Sequence, residues 1–140
     1  MKERPKVSFC LFAYNQEQYI EEALESVFRQ DYDPHEIILS DDCSSDNTFK
    51  IIKEFVVCKN NPRIILNRNR ENLGIARHVN LVNKIATGDL LILFAGDDVS
   101  KKSRASKIVE TFIANDADYL CSKVYSFSTS TSDSLVWVGH

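Results

Sequence analysis

Ala86-Thr87-Gly88-Asp89-Leu90-Leu91-Ile92-Leu93-Phe94-Ala95-Gly96-Asp97-Asp98 sets the frame for the whole chain. The apolar run Leu90 to Ala95 is too short to span a membrane and has the length of a strand buried on both faces. It stops at a glycine followed by two adjacent carboxylates. Glycine lets the backbone turn and approach a ligand closely, and hard cations such as Mg²⁺ or Mn²⁺ take oxygen ligands. A buried strand whose carboxyl end opens onto Gly-Asp-Asp is therefore a candidate metal site, with Asp97 and Asp98 as its ligands. An ordinary solvated turn competes with that reading, because Gly and Asp are turn formers in any case. The rest of the chain decides between them.

The chain has 140 residues, enough for one domain with a real core. Charged residues make up 26% and hydrophobic ones 44%, the balance of an ordinary globular protein. A net charge of −3 with scattered Lys and Arg speaks against a nucleic-acid partner. No run is long enough for a membrane span. The four cysteines show no C-x-x-C spacing, which argues against zinc. Cys10 and Cys121 lie in apolar, strand-like runs and read as buried free thiols, which favours a reducing compartment. The start imitates a signal peptide only faintly, since Tyr14-Asn15-Gln16-Glu17 ends its apolar run at once. The expected location is cytoplasmic, either free or peripheral to the membrane's cytoplasmic face.

Outward from the opening stretch, strand and helix patterns alternate. Val7 to Ala13 is a buried strand, and Tyr19, Ile20, Ala23, Leu24, Val27 and Phe28 recur at helical spacing after it. Glu36 to Ser40 is the second strand, followed by the turn-rich Asp41-Asp42-Cys43-Ser44-Ser45-Asp46 and a helix carrying Ile51, Ile52, Phe55 and Val56. Arg63 to Asn67 is a third strand, and Ile75, Val79, Val82 and Ile85 mark the next helix. Beyond Asp98, Ala105, Ile108, Val109, Phe112 and Ile113 give a fourth helix, and Asp118 to Phe127 reads as a fifth strand. Residues 1–128 form the expected domain, and the Ser/Thr-rich stretch 129–140 reads as a mobile tail.

Such alternation implies an α/β fold: a mostly parallel sheet with helices on both faces and ligands beyond the carboxyl ends of the strands. Strands one and four are expected side by side. Tyr14-Asn15, Asp41-Asp42, Asn67-Arg68 and Asp97-Asp98 then gather on one edge, which favours a site over a solvated turn. Neither G-x-G-x-x-G nor G-x-x-x-x-G-K-[ST] is present, so phosphates have no glycine-rich cradle and need a metal. Tyr14 beside Asn15 can stack on a base, Asp42 can accept from a base N–H, and a metal on Asp97 can bridge a diphosphate. These features describe a nucleotide-diphosphate pocket. His78 reads as a packed core residue, and His140 is given no role.

Four blocks carry a resemblance over roughly residues 6 to 115. Val7 to Asn15 with Ala23 to Gln30 is similar to the opening of family 2 glycosyltransferases. Glu36 to Thr48 resembles that family's second-strand signature, which usually has Gly where Cys43 stands. Asn72-Leu73-Gly74-Ile75-Ala76-Arg77 and Thr87 through Asp98 match the next two blocks in order.

The resemblance implies a GT-A fold and metal-assisted, inverting transfer of a sugar from a nucleotide-diphosphate donor. The acceptor is unknown: a sugar, a lipid-linked sugar or a polysaccharide. Carried over, Ala13, Tyr14, Asn15, Asp41, Asp42, Asn72, Gly74 and Asp97 would bind the nucleotide, with Mn²⁺ or Mg²⁺ on Asp97 and Asp98. The family's D-x-D pattern often begins with Asp where Ala95 stands. Its general base comes from beyond the metal motif, and no counterpart is found before His140, Asp116 and Asp118 reading as turn residues. The chain is thus expected to hold mainly the donor-binding half, truncated at its C-terminus. A non-catalytic nucleotide- or metal-binding fragment and a nucleotidyltransferase-like domain are the alternatives. The latter normally carries a Gly- and Arg-rich loop where Tyr14-Asn15-Gln16-Glu17 stands. A phospho-receiver would place its acids after strands one and three rather than two and four.

Overall fold

Four parallel strands form the central sheet of the computed structural model, which describes residues 4–115, 117–121, 124–126 and 136–138. They are β1 (Val7–Ala13), β2 (Glu36–Asp41), β3 (Ile64–Arg68) and β4 (Leu90–Ala95), in the order β3-β2-β1-β4. The helices are α1 (Ile20–Phe28), α2 (Thr48–Lys59), α3 (Ile75–Ile85) and α4 (Arg104–Asn115). As expected, β1 and β4 are neighbours.

Period-two alternation along buried strands sends side chains to opposite faces. Phe9, Leu11, Ile37, Leu39, Ile92 and Phe94 join α1, α2 and α4 in the larger core cluster, where Phe9 and Phe94 meet edge to face. Cys10, Phe12 and Ile38 point the other way and are covered by Val82 and its neighbours on α3. Burial pushes the Cys10 thiol up to about 12, with Glu36 adding to it, so the sulfur is an inert packing atom.

The edge at the amino ends of the strands is closely hydrogen-bonded. Ser8 faces Glu36 across the β1–β2 ladder and donates to its Oε1 at 2.6 Å. Thr87 donates to Glu36 from its backbone N–H at 2.6 Å and its hydroxyl at 3.0 Å, and the Gly88 N–H reaches Ser8 Oγ at 3.0 Å. A Cβ on Gly88 would lie 2.8 Å from both Lys6 O and Ser8 N, so only glycine lets the α3–β4 connection pass this close. Thr87-Gly88-Asp89 is therefore a clamp that registers β4 against β1, remote from the carboxyl ends.

Burial works to raise the Glu36 pKa, but the bonds from Ser8 and Thr87 and the nearby His35 outweigh it and hold the carboxyl below the ordinary range. A depressed carboxyl contributes stability that is present above its unfolded pKa, about 4.3, and is lost as pH falls through the folded value. Urea midpoints are expected to hold from neutrality to about pH 5 and fall below it. Glu36→Gln should cost about 1–3 kcal/mol near pH 7 and make the acid limb shallower. An unchanged acid limb in the variant would exclude Glu36 as a cause.

Two expectations are corrected beyond α4. Asp118 to Phe127 does not add a fifth strand to the parallel sheet. Among the described residues of this stretch only Val124–Ser126 is extended (β5), and it pairs antiparallel with Val136–Val138 (β6) in a separate two-stranded sheet. Polar Ser122, Lys123 and Ser126 break the apolar run that a doubly covered parallel strand needs. Cys121, expected to be buried, is exposed. Asp118 lies in an exposed bend, while Asp116, residues 127–135 of the Ser/Thr-rich stretch and His140 fall outside the described residues. Among the described residues no helix is long and apolar enough to cross a membrane.

Candidate functional site

Register alone brings the candidate residues to one edge. Ala13 pairs with Asp41, Asp41 with Arg68, and Phe12 with Ala95. Tyr14 and Asp97 each stand two residues past the Phe12–Ala95 pair, so both emerge at the carboxyl edge of these neighbouring strands. The Gly96 N–H continues the ladder onto Phe12 O at 2.8 Å. The Tyr14 ring is 44% exposed, open enough to stack on a flat ligand, and Asp97 and Asp98 are exposed beside it.

The loops after β1 and β2 are laced together. Asn15 N donates to Ser44 Oγ at 2.9 Å, and Asn15 Oδ1 accepts from Ser45 N at 2.8 Å. Gln16 N reaches Thr48 Oγ1 at 2.7 Å, Glu17 N reaches Asp46 Oδ2 at 3.1 Å, and Asn47 N returns a bond to Glu17 Oε2 at 2.9 Å. Asn15 takes φ 50° and Cys43 takes φ 63°. Asn tolerates the left-handed region; at Cys43 the backbone is one that glycine adopts at less cost.

The two adjacent aspartates face different partners. Asp41 is fully buried: its Oδ1 accepts from Ser44 Oγ at 2.5 Å, its Oδ2 accepts from Ser44 N at 3.0 Å, and Arg68 Nε lies 3.3 Å from Oδ2. The Arg68 guanidinium also covers the Phe49 ring and donates to Ser44 O. Asp42 is 3% exposed. Its Oδ1 accepts from Asn69 Nδ2 at 2.7 Å and Leu73 N at 2.9 Å, and its Oδ2 accepts from Gly74 N at 2.9 Å. Each carboxylate oxygen has two lone pairs, so Oδ2 keeps one for a ligand. Burial works to raise the Asp42 pKa, but the Leu73, Asn69 and Gly74 bonds and the nearby His78 bring it below the ordinary range.

Gly74 adopts φ 74°, ψ 161°, a region essentially confined to glycine, and this turns its N–H onto both Asp42 and Asn72 Oδ1. Asn72 is thereby held in place, exposed, beside Asp42. Ala13, by contrast, is buried in β1 and presents no side chain to the edge. Asn69 is a participant that sequence reasoning missed. It lay in a polar loop with nothing to mark its return to β2.

At the metal position, burial raises the Asp98 pKa, the Asp97 charge adds to this, and Arg104 opposes both. Arg104 stacks on Phe94 and donates to Leu93 O at 3.0 Å, which places its charge beside Asp98. Among the described residues no three His, Cys, Asp or Glu side chains converge on a common point. Two exposed carboxylates are a hard, partial donor set, which fits Mg²⁺ or Mn²⁺ if a ligand supplies further oxygens.

Comparison with known proteins gives the family and the fold. A family model described as "Glycosyl transferase family 2" matches residues 8–134. Among curated relatives, abequosyltransferase RfbV of Salmonella typhimurium is 36% identical over 120 residues, covering 84% of this chain and 35% of that protein. Among solved structures, S. aureus TarS 1-349 in complex with UDP-GlcNAc is 27% identical with a TM-score of 0.69, covering 81% of this chain and 32% of that one. The mannosyltransferase PcManGT from Pyrobaculum calidifontis, in complex with GDP-Man and Mn²⁺, has a TM-score of 0.72 at 24% identity, a likeness of fold, covering 79% of this chain and 33% of that one. The chain thus spans about a third of the length of these relatives.

Proposed function

The chain belongs to glycosyl transferase family 2, with the GT-A fold, and from that premise we propose that it binds the nucleotide-diphosphate sugar donor of an inverting transferase. The observation that carries this reading is the convergence of Tyr14, Asp42 and Asp97 on one sheet edge. The Tyr14 ring stacks on the base, the spare lone pair of Asp42 Oδ2 takes a base N–H, and Asn72 and Gly74 border the pocket. Asn15 and Asp41 serve it from behind, by holding the loops.

Asp97, with Asp98 beside it, would hold Mn²⁺ or Mg²⁺. The ion would neutralise the diphosphate as it leaves. The acceptor hydroxyl attacks the anomeric carbon from the face opposite the diphosphate, which inverts that centre. Its proton passes to a carboxylate base that we assign to no described residue. The acceptor is a sugar, a lipid-linked sugar or a polysaccharide, and the reaction takes place on the cytoplasmic side, where nucleotide sugars are made. TarS bound to UDP-GlcNAc and PcManGT bound to GDP-Man with Mn²⁺ support the ligand class.

Calorimetry with UDP, GDP and dTDP, each with Mn²⁺, tests the reading. One of them is expected to bind clearly better than the others. Asp42→Asn replaces an acceptor-only oxygen pair with a group that can present a donor to the same N–H. It should weaken that nucleotide by about 1–3 kcal/mol. No binding of any of the three at millimolar concentration would overturn the assignment, and unchanged affinity in a folded Asp42→Asn would remove Asp42 from the pocket.

A further inference from the structure

His78 is 2% exposed on the first turns of α3, edge-on to Phe12 with ring centroids 5.1 Å apart. That packing would suit any aromatic residue, but the ring also carries a hydrogen bond. Its Nε2 lies 2.6 Å from Ser40 Oγ on β2. Ser40 Oγ in turn receives Asn67 Nδ2 at 2.9 Å, and the same Nδ2 reaches Asn69 Oδ1 at 3.0 Å. Asn69 Nδ2 then donates to Asp42 Oδ1 at 2.7 Å. The chain of bonds therefore runs from a helix buried against the sheet to the carboxylate at the pocket.

The donors and acceptors close without conflict. Asn67 spends both amide hydrogens, one on Ser40 and one on Asn69, so Ser40 can give its own hydroxyl proton to His78 Nε2. That requires a neutral ring with Nε2 as acceptor. Burial lowers the His78 pKa and so favours the neutral form, against the opposing pull of Asp42 and Asp41. A second route joins the same two residues: His78 N donates to Gly74 O, and Gly74 N donates to Asp42 Oδ2. Asp42 is thus held from two directions by α3, once through backbone and once through side chains. Such closed polar networks fix a single rotamer because every alternative leaves a buried group unpaired.

We propose that His78 is a positioning residue for Asp42, fixing the orientation of its carboxylate through Ser40, Asn67 and Asn69. The consequence for nucleotide affinity rests on the donor-binding reading above; the fixing itself does not. Ser40 and Asn69 are links in the same chain of bonds, and both are buried.

The test compares His78→Phe, which keeps a ring against Phe12 but removes the acceptor, with His78→Gln, whose amide can restore a bond to Ser40. Ser40→Ala breaks the same link without touching the ring, and it decides the matter if His78→Phe does not fold. The first readout needs no ligand: amide exchange at Leu73 and Gly74, whose N–H groups end on Asp42. It should accelerate about three- to tenfold in His78→Phe and Ser40→Ala, the equivalent of one hydrogen bond, while Leu39 in mid-strand is unaffected. The second readout is binding of UDP, GDP and dTDP, each with Mn²⁺. Affinity should fall about three- to tenfold in His78→Phe and recover to within about twofold in His78→Gln. In an Asn69→Ala background the His78→Phe effect should vanish, because the link is already cut.

A merely structural histidine gives another pattern. Stability falls while Leu73 and Gly74 exchange and nucleotide affinity stay at wild-type values, or the Asn69 and His78 effects add. Either result overturns the proposal. If the wild-type chain binds none of the three nucleotides, the donor-binding reading fails, and the exchange measurement still decides whether His78 holds Asp42.

Discussion

Asp97→Ala is expected to abolish the coupling between Mn²⁺ and nucleotide, leaving a nucleotide affinity that no longer responds to metal. The pair Asp97-Asp98 follows β4 directly, on the edge where Tyr14 emerges, and no third acidic, His or Cys side chain joins it among the described residues. A divalent ion of this type wants about six oxygens and keeps waters when protein ligands are few. Metal alone should therefore bind weakly, and a diphosphate should supply the missing oxygens. The two ligands then reinforce each other by the same factor whichever is added first, about 5- to 150-fold in the usual range of such coupling. Asp98 sits closer to the compensating charge of Arg104, so Asp98→Ala should reduce the coupling without removing it. The check is a pair of calorimetric titrations, nucleoside diphosphate into protein with and without Mn²⁺ and Mn²⁺ into protein with and without nucleotide, for wild type and both variants. A nucleotide affinity indifferent to Mn²⁺ in the wild type, or coupling that survives Asp97→Ala, refutes the metal assignment.

The sheet was legible because its central strands β1 and β2 are buried on both faces; β4, expected to be buried likewise, is an edge strand with Leu93 43% exposed. Val7 to Ala13 is apolar but for Ser8, Leu90 to Ala95 is a continuous apolar run, and the intervening helices show one apolar stripe each. The crossover rules then leave few topologies, which is why Tyr14 and Asp97 could be placed on a common edge before any coordinates. The same reasoning failed at Asp118 to Phe127, where polar residues interrupt the run and local pairing with Val136–Val138 replaces addition to the sheet. Within the site, position was readable and orientation was not. Nothing local separates Asp41 from Asp42, because which carboxylate turns inward depends on Arg68, Asn69, Leu73 and Gly74, brought back by β3 and its following loop. His78 looked like core, and by burial it is. Its link to Ser40 spans 38 residues of sequence and leaves no trace in periodicity. The Thr87-Gly88-Asp89 block is the converse case: it stands next to the site in sequence and clamps the opposite edge in space.

The sharpest separation between framework and pocket should come from the adjacent aspartates. Asp41→Ala is expected to cost about 2–4 kcal/mol of folding stability, at and below the lower end of the range for breaking a buried charge pair, because the Arg68 side chain is 44% exposed and can rehydrate. The loss does not stop at that pair. Ser44 Oγ gives its proton to Asp41 and accepts from Asn15 N, so removing the carboxylate frees the turn after β2 and the loop after β1 together. Asn47 and Thr48 at the start of α2 are tied to the same loop and should lose exchange protection with it. Asp41→Asn keeps the volume but substitutes a donor for one acceptor, and should recover about half of the loss. Asp42→Asn should instead cost about 1 kcal/mol or less of folding stability while weakening nucleotide, since Asn69 and Leu73 keep the two lone pairs of Oδ1 and Gly74 N keeps Asn72 Oδ1. Chemical denaturation and nucleotide titration of the three variants, run side by side, give the answer. If Asp41→Ala unfolds no more easily than the wild type, or if Asp42→Asn loses as much stability as Asp41→Ala, the division of labour at the end of β2 is other than the hydrogen bonds describe.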